Sequence, residues 1–291
     1  MNHTFPIVQD SVFEEPAEVA LQKLKAILQS MQRVLVAFSG GVDSALVLDV
    51  AFEVLGQNAV AITAISPTFP PEEQEISTQF TSARGIEHIL VESHELEDEG
   101  YARNEGNRCY FCKSELFHLA HDRAQTMGVE WVLDGTIVDD LGDHRPGLQA
   151  ASEKQVRHPL VEAGFTKSMV RQIARNRGIH LWNKPSFACL GSRFMPGTRV
   201  TLERIQQVQQ VETHLRQIGF VQFRARWHAV GEDRLVRIEL GPAEFALLLE
   251  PNVRQIIVEQ CKTIGFRWVT LDLLGYQDPT TKENQSATLS D

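Results

Sequence analysis

The sequence is short of positive charge, has few cysteines and contains no long apolar run. No hydrophobic stretch approaches the length of a membrane span. Residues 1–21 carry Asp10, Glu14, Glu15 and Glu18 and no apolar core, so they read as neither a signal nor a transit peptide. The expected address is the cytoplasm, with no membrane partner. The 4 cysteines are then thiols or ligands rather than disulfides. Lys and Arg number 28 against 38 Asp and Glu, a formal charge of −10. Nucleic-acid affinity rests largely on Lys and Arg neutralising phosphates, so the chain is a poor candidate for a broad nucleic-acid binder and no nucleic-acid partner is expected. A local basic pocket for one small anion is not. What is present is ordinary globular usage, 43% hydrophobic and 23% charged over 291 residues, enough chain for one or two domains with a real core.

Punctuation along the chain alternates strand and helix. Residues 17–30 have helical spacing, and Arg33–Phe38 is a short β-branched apolar run that ends in glycines. Residues 43–55, 71–84 and 114–128 read as helices, and 59–65, 89–91 and 131–134 as strands. That alternation predicts an α/β fold, a doubly wound parallel sheet whose ligand site lies beyond the carboxyl ends of its strands. After Pro196-Gly197 the pattern changes. A helix over 200–218, a hairpin of 220–227 and 234–240 around Gly231, helices over 242–250 and 252–264, and a strand over 266–274 make a smaller α+β unit. The expected domains are 1–195, with a loose arm over 1–20, and 196–277, followed by a disordered polar tail over 278–291. No internal repeat is evident.

Ser39-Gly40-Gly41-Val42-Asp43-Ser44 lies between the first strand and the next helix. Glycines let a backbone bend tightly and turn its N–H groups toward an anion, and a helix N-terminus adds a favourable dipole. Ser39 and Ser44 add hydroxyl donors. Asp43 suits such a loop if Mg²⁺ bridges it to phosphate. The lysine of the G-x-x-x-x-G-K-[ST] loop is missing. The run resembles instead the pyrophosphate loop of N-type ATP pyrophosphatases, which split ATP between its α and β phosphates. A plain glycine turn capped by Asp43 is the alternative. Ser66 and Asp134-Gly135-Thr136 follow the second and fourth strands and are expected at the same edge, as nucleotide contacts or as ordinary turn residues.

Cys109 and Cys112 are spaced C-x-x-C at a loop-to-helix junction, where dipole and N–H groups lower a thiol pKa. Cys189 sits in the irregular run KPSFACLGSR, with Arg193 close by to favour its thiolate. Three such sulfurs leave one coordination position open on a four-iron cluster or on zinc; two buried structural thiols explain the C-x-x-C nearly as well. Cys261 lies in an amphipathic helix and is expected in the core.

The stretches SGGVDS, NRCYFCK (107–113), LDGTIVDDLGDHRPG (133–147), FTKSMVRQIAR (165–175), KPSFACLGSR (184–193) and FRARWH (223–228) together resemble the LarE family. These are ATP-dependent sulfur transferases that build the nickel-pincer cofactor of lactate racemase. The resemblance implies that ATP with Mg²⁺ adenylylates a carboxylate of pyridinium-3,5-biscarboxylic acid mononucleotide and releases pyrophosphate. A thiolate then displaces AMP, and C–S cleavage leaves a thiocarboxylate. In single-cysteine members the residue matching Cys189 surrenders its own sulfur. Cys109 and Cys112 depart from that pattern, as in members ascribed a [4Fe–4S] cluster, with Cys109, Cys112 and Cys189 as ligands and a cluster-bound sulfide as donor. The family further implies a homo-hexamer built of three dimers.

On the strand 220–227 the two-residue period places Gln222, Arg224 and Arg226 on one face. Neighbouring arginines make a fork for phosphate or carboxylate, or a solvated face partnered by Glu239. The resemblance assigns Arg224 and Arg226 to the mononucleotide phosphate, and places Ser192 and Arg193 beside the substrate. Lys113, Lys167 and Arg145 are expected to neutralise pyrophosphate or the adenylate, with surface charge as the alternative. Glu212 and Glu239 are carboxylates open to a divalent ion. The histidines, His88 among them, show no ligand spacing. Two other readings stay open: a tRNA thiolase, disfavoured by the acidic charge, and a non-catalytic iron–sulfur or nickel-binding scaffold.

Overall fold

The computed structural model describes residues 15–142, 146–184 and 188–277. They form two units, neither continuous in sequence. The first takes residues up to Ile65, Pro71–Ser93 and Cys109–Phe187, and the second takes Ser66–Pro70, His94–Arg108 and everything from Ala188. The single boundary expected near residue 195 therefore differs from the observed division in two ways. The main crossing falls at 187–188, and two inserts from the first half of the chain belong to the second unit.

The elements run α1 (Glu15–Met31), β1 (Val34–Ala37), α2 (Val42–Leu55), β2 (Ala59–Ile65), α3 (Pro71–Arg84), β3 (His88–Glu92), α4 (Glu99–Arg103), α5 (Arg108–Met127), β4 (Trp131–Leu133), α6 (Pro146–Glu153), α7 (Pro159–Ala163) and α8 (Lys167–Asn176). All but α4 build the first unit, whose strands lie parallel in the order β3-β2-β1-β4. β1 is buried along its whole length, because both faces of a parallel sheet are covered and its strands read as continuous apolar runs. Val34 and Val36 point into a core with Leu24, Leu28, Leu46 and Val170 from α1, α2 and α8. Leu35 and Ala37 point the other way, to Phe117, Ala120 and Ala150 of α5 and α6. Helices on both faces make the sheet doubly wound, as expected, and consistent with an ATP pyrophosphatase-like fold. In this order the chain leaves β1 toward β2 on one side, while β4 lies on the other. The crevice between the carboxyl ends of β1 and β4 is the switch point at which such sheets bind ligands.

The second unit holds α9 (Leu202–Ile218), β5 (Phe223–Val230), β6 (Asp233–Leu240), α10 (Phe245–Leu249), α11 (Pro251–Ile264) and β7 (Trp268–Leu271). β5 and β6 form the predicted hairpin, with Arg224 opposite Glu239, and β7 adds in parallel to β6. Ile205, Val208, Val211 and Leu215 of α9 are buried with Ala225, Trp227, Val236 and Ile238.

Two boundaries differ from the expected ones for physical reasons. α5 begins at Arg108 rather than at Ser114; Tyr110 already packs against the core that holds Phe117 and Ala120, which carries the helix upstream over the C-x-x-C. β5 begins at Phe223 because Gly219, left-handed at φ 112°, ends α9 and the Phe220 N–H bonds back to the Leu215 carbonyl. Among the described residues no helix is long and apolar enough to cross a membrane.

Behind β1, His88 is wedged between two threonines, its Nε2 2.8 Å from Thr63 Oγ1 and its Nδ1 3.1 Å from Thr81 Oγ1. Thr63 donates onward to the Phe38 carbonyl at 2.6 Å, so Nε2 carries the proton that Thr63 accepts. Burial pushes the ring pKa down from 6.5 to about 4. The unfolded chain therefore binds a proton that the fold refuses, and stability falls as pH drops from about 6.5 to about 4. Below that window this group contributes no further loss. In urea melts from pH ~7.5 to ~4.5, His88→Asn should flatten the pH dependence by roughly 1–2 kcal/mol, allowing for solvent screening of a half-buried ring; parallel wild-type and variant curves refute it.

Candidate functional site

The loop after β1 is organised by its own hydroxyls. Ser44 Oγ lies 3.1 Å from Ser39 Oγ and donates to the Gly41 carbonyl at 3.2 Å, while Gly41 N–H donates to Ser39 Oγ at 3.4 Å. Gly40 sits at φ +71°, a left-handed turn that glycine adopts without strain. From outside the loop, Lys184 Nζ donates to the Gly40 carbonyl at 3.0 Å and pairs with Glu73 of α3. α2 then starts at Val42 with no side-chain cap from Gly41, leaving first-turn N–H groups for an anion. The Val42 side chain itself is buried in the core, so it offers the site its backbone alone.

Gly135, in the turn after β4, touches this first turn. A Cβ there would stand 2.5 Å from Ser44 N and 2.9 Å from the Asp43 carbonyl carbon. Between the two turns lies a cavity of about 180 Å³ lined by Ser39, Asp43, Ser44, Lys113, Asp134, Gly135, Thr136 and Asp140, among others. Asp134 accepts from Thr136 N–H at 3.0 Å and from the Thr136 hydroxyl at 2.8 Å, the Asx geometry of a turn residue. His158 Nδ1 is 2.7 Å from Oδ1, the oxygen that accepts the Thr136 N–H, and Lys113 Nζ is 3.7 Å from Oδ2. Burial works to raise the Asp134 pKa, but His158 and Lys113 overcome it and hold the carboxylate below its ordinary range. Asp43 goes the other way: burial raises it, against the pull of Lys167. Lys167 Nζ bonds both Asp43 oxygens, at 2.9 and 2.6 Å.

This donor set fits Mg²⁺ delivered on phosphates, which asks one or two carboxylates of the protein. Asp43 and Asp140 would supply them, and the Lys167 ammonium stands on both Asp43 oxygens. Arg145 lies outside the described residues.

In the second unit, the loop around Cys189 is tied down through its neighbours. Leu190 N–H donates to the Thr68 carbonyl at 3.0 Å, and Thr68 and Ser66 both donate to the buried Glu95 carboxylate, at 2.8 and 2.5 Å. Ser66 thus belongs to this support and does not line the phosphate cavity. Arg193 Nη1 donates to the Ala188 carbonyl and to Ser192 Oγ, at 2.8 and 2.9 Å, and its other edge grips Glu212 at 2.8 and 3.1 Å. Burial works against the Arg193 charge, but Glu212 and the Cys189 sulfur more than restore it. Gly191 completes the hold, for a Cβ there would lie 2.5 Å from Tyr101 Oη and 3.1 Å from Arg108 Nε.

The paired arginines divide. Arg226 pairs with Glu239 at 2.8 Å and donates to the Ser192 carbonyl at 2.7 Å. Arg224 is 4% exposed and, among the described residues, bonds neutral oxygens, Tyr276 Oη at 2.9 Å and the Gln277 carbonyl at 3.2 Å. A buried guanidinium whose partners are neutral is the stronger anion site. Glu212 and Glu239, open to a divalent ion on sequence alone, are instead taken by Arg193 and Arg226.

Cys109 and Cys112 are the second and fifth residues of α5, one exposed and one half-buried, in the first unit; Cys189 belongs to the second. Among the described residues no three His, Cys, Asp or Glu are gathered to hold a metal ion. Cys261 is buried in the core as expected, and burial pushes its thiol up to about 12.

No family model matches the chain. It is 44% identical over 260 residues to an uncharacterized protein of Synechocystis sp., covering 89% of this chain and 96% of the relative. It is 39% identical over 255 residues, 87% of this chain and 90% of the relative, to the pyridinium-3,5-bisthiocarboxylic acid mononucleotide synthase of Lactiplantibacillus plantarum. The chain belongs to the LarE family. A more distant relative, 24% identical over 253 residues, is an uncharacterized protein of Methanocaldococcus jannaschii; the match spans 84% of this chain and 91% of the relative.

Several supporting residues carry no sequence signal of their own. Lys184 lies in a stretch that resembles LarE but has no motif logic, and Glu73, Glu95, Thr68 and His158 act at long sequence range. Asn104 has one: an asparagine near glycine reads as left-handed, and it sits at φ 56°, donating to the carbonyls of Met195 and Thr198 at 2.8 and 3.2 Å.

Two glycines give direct checks. Gly135→Ala should force the two turns apart and cost roughly 1–3 kcal/mol of stability, read as a lowered melting temperature; an unchanged melt refutes the close approach. Gly191→Ala should displace the Cys189 loop and change the rate at which iodoacetamide alkylates Cys189 by severalfold, measured by peptide mass; equal rates refute the wedge.

Proposed function

We propose that this LarE-family chain is an ATP-dependent sulfur transferase that converts a carboxylate of a pyridinium dicarboxylate mononucleotide to a thiocarboxylate, for nickel-pincer cofactor synthesis. The reading is carried by the loop 39–44 with Asp43, facing the cavity at the β1/β4 switch point, in a chain 39% identical to the Lactiplantibacillus synthase.

The loop N–H groups, Ser39 and Ser44 receive the phosphates of ATP, and Gly135 and Thr136 border them. Mg²⁺, when bound with the nucleotide, supplies charge neutralisation on the phosphates. Lys113, held toward Asp134, and Lys167 add fixed positive charge where the pyrophosphate leaves. The substrate carboxylate oxygen attacks the α-phosphorus, and the bond to the β-phosphate oxygen breaks to release pyrophosphate. Adenylylation turns a poor acyl acceptor into a good one, because AMP is a far better leaving group than oxide.

Arg224, with Arg226 beside it, takes the mononucleotide phosphate; Ser192 and Arg193 border the substrate. Cys189 is the nucleophile, its thiolate favoured by the Arg193 guanidinium. Its sulfur attacks the acyl carbon and AMP departs. Removal of the Cys189 α-proton then cleaves Cβ–S, leaving the thiocarboxylate on the product and dehydroalanine at position 189. The family resemblance supports a second donor, a sulfide on a [4Fe–4S] cluster with Cys109, Cys112 and Cys189 as its ligands.

Anaerobically purified protein is incubated with ATP, Mg²⁺ and the dicarboxylate mononucleotide, and pyrophosphate and intact mass are followed. Substrate-dependent pyrophosphate release is expected, with loss of the elements of H₂S mapped to Cys189, while Cys189→Ser still releases pyrophosphate but forms no thiocarboxylate. Product with an unchanged protein mass shifts the donor to a cluster sulfide. No substrate-dependent pyrophosphate overturns the enzyme reading, and tRNA-dependent release revives thiolation.

A further inference from the structure

We propose that Lys167 is a resident counter-cation of the phosphate site, holding the Asp43 carboxylate in the nucleotide-free protein and yielding it to the divalent cation that arrives with the nucleotide. This rests on the ATP reading above and adds an order of events to it.

The geometry comes first. Lys167 Nζ does not graze Asp43 from one side but bonds both carboxylate oxygens, at 2.9 and 2.6 Å, the place a divalent ion takes on a loop aspartate. The backbone beneath that ammonium is fixed. Thr166 caps α8 by accepting from Met169 N–H, and Lys167 N–H donates to Asp139 Oδ2 at 3.0 Å. The root of the side chain is therefore anchored while its four-carbon stem remains free to redirect the charge.

Charge supplies the second argument. Asp43, Asp134 and Asp140 all line one small cavity, so three carboxylates share it. Lys113 and His158 serve Asp134. Without Lys167 the half-buried Asp43 carboxylate would share the cavity with Asp140 and, among the described residues, have no cation bonded to it. Nucleotide phosphates add further negative charge to the same cavity. A divalent ion on Asp43 then replaces the ammonium, which is freed to turn toward the phosphates.

Accessibility permits the exchange. The side chains are 32% and 25% exposed, so the pair opens without unfolding, and the incoming ion leaves no carboxylate bare. Among the described residues no three metal-binding side chains are gathered. The protein alone therefore makes a poor divalent site, and phosphate oxygens must complete it.

The test uses the full chain and Mn²⁺ alone, with free Mn²⁺ read by electron paramagnetic resonance in the absence of nucleotide. Lys167→Met should bind Mn²⁺ at least ten times more tightly than wild type, and adding Asp43→Asn to it should abolish the gain. Equal affinities for wild type and Lys167→Met, or a gain that survives Asp43→Asn, overturn the proposal. Lys167→Gln, which keeps a polar end, guards against a folding defect. If both variants are unfolded without metal, recovery of circular dichroism on adding Mn²⁺ supports the proposal, and no recovery overturns it. Binding of α,β-methylene-ATP to wild type is measured separately. Its failure removes the ATP reading while the Mn²⁺ comparison still decides the role of Lys167.

Discussion

The closeness of two backbone turns governs the first unit. The turn after β4 approaches the first turn of α2 so nearly that residue 135 has no room for a side chain. That contact closes the floor of the cavity and fixes which groups face each other across it: Asp43 and Ser44 on one wall, Asp134 and Thr136 on the other. Lys184 and Glu73 brace the loop from behind at Gly40. A flexible glycine loop is thereby held in one shape before any ligand arrives, which lowers the ordering cost of binding.

The acids and bases of this wall are sorted by environment rather than by type. Asp134 follows β4 and Asp43 stands in the first turn of α2, both on one cavity, yet their pKa values move in opposite directions. Asp134 is stitched into its turn by Thr136 and His158 and stays charged as part of the architecture. Asp43 relies on one mobile ammonium and so remains available for exchange. Structural and functional carboxylates differ here in whether their partners are anchored.

Much of this was legible in the sequence, for identifiable reasons. β2 and α3 match their expected bounds because apolar runs and proline leave sharp edges. The phosphate loop could be read because strand, glycines and helix are contiguous. The supports could not. Lys184 reaches Gly40 across most of the first unit's chain length, and Glu95 holds Thr68 beneath Leu190; neither pairing has a local pattern. The arginines of β5 show the limit most clearly, since period two put Arg224 and Arg226 on one face but could not say that Glu239 engages the second while Tyr276 covers the first.

The second unit is stitched from three separated pieces of chain, and this bears on how it is made. Asn104, buried and bonded to the carbonyls of Met195 and Thr198, leaves the ribosome long before those carbonyls exist. So does Thr68, which awaits the amide of Leu190. Most of the parallel sheet, by contrast, is synthesised before residue 134. During translation the first unit has its strands early, while the segments 66–70 and 94–108 still await the partners they bond in the second. Leu190, Met195 and Thr198 supply the partners that close them, so the residue read as the sulfur carrier gains its setting only after every strand of the parallel sheet has been made.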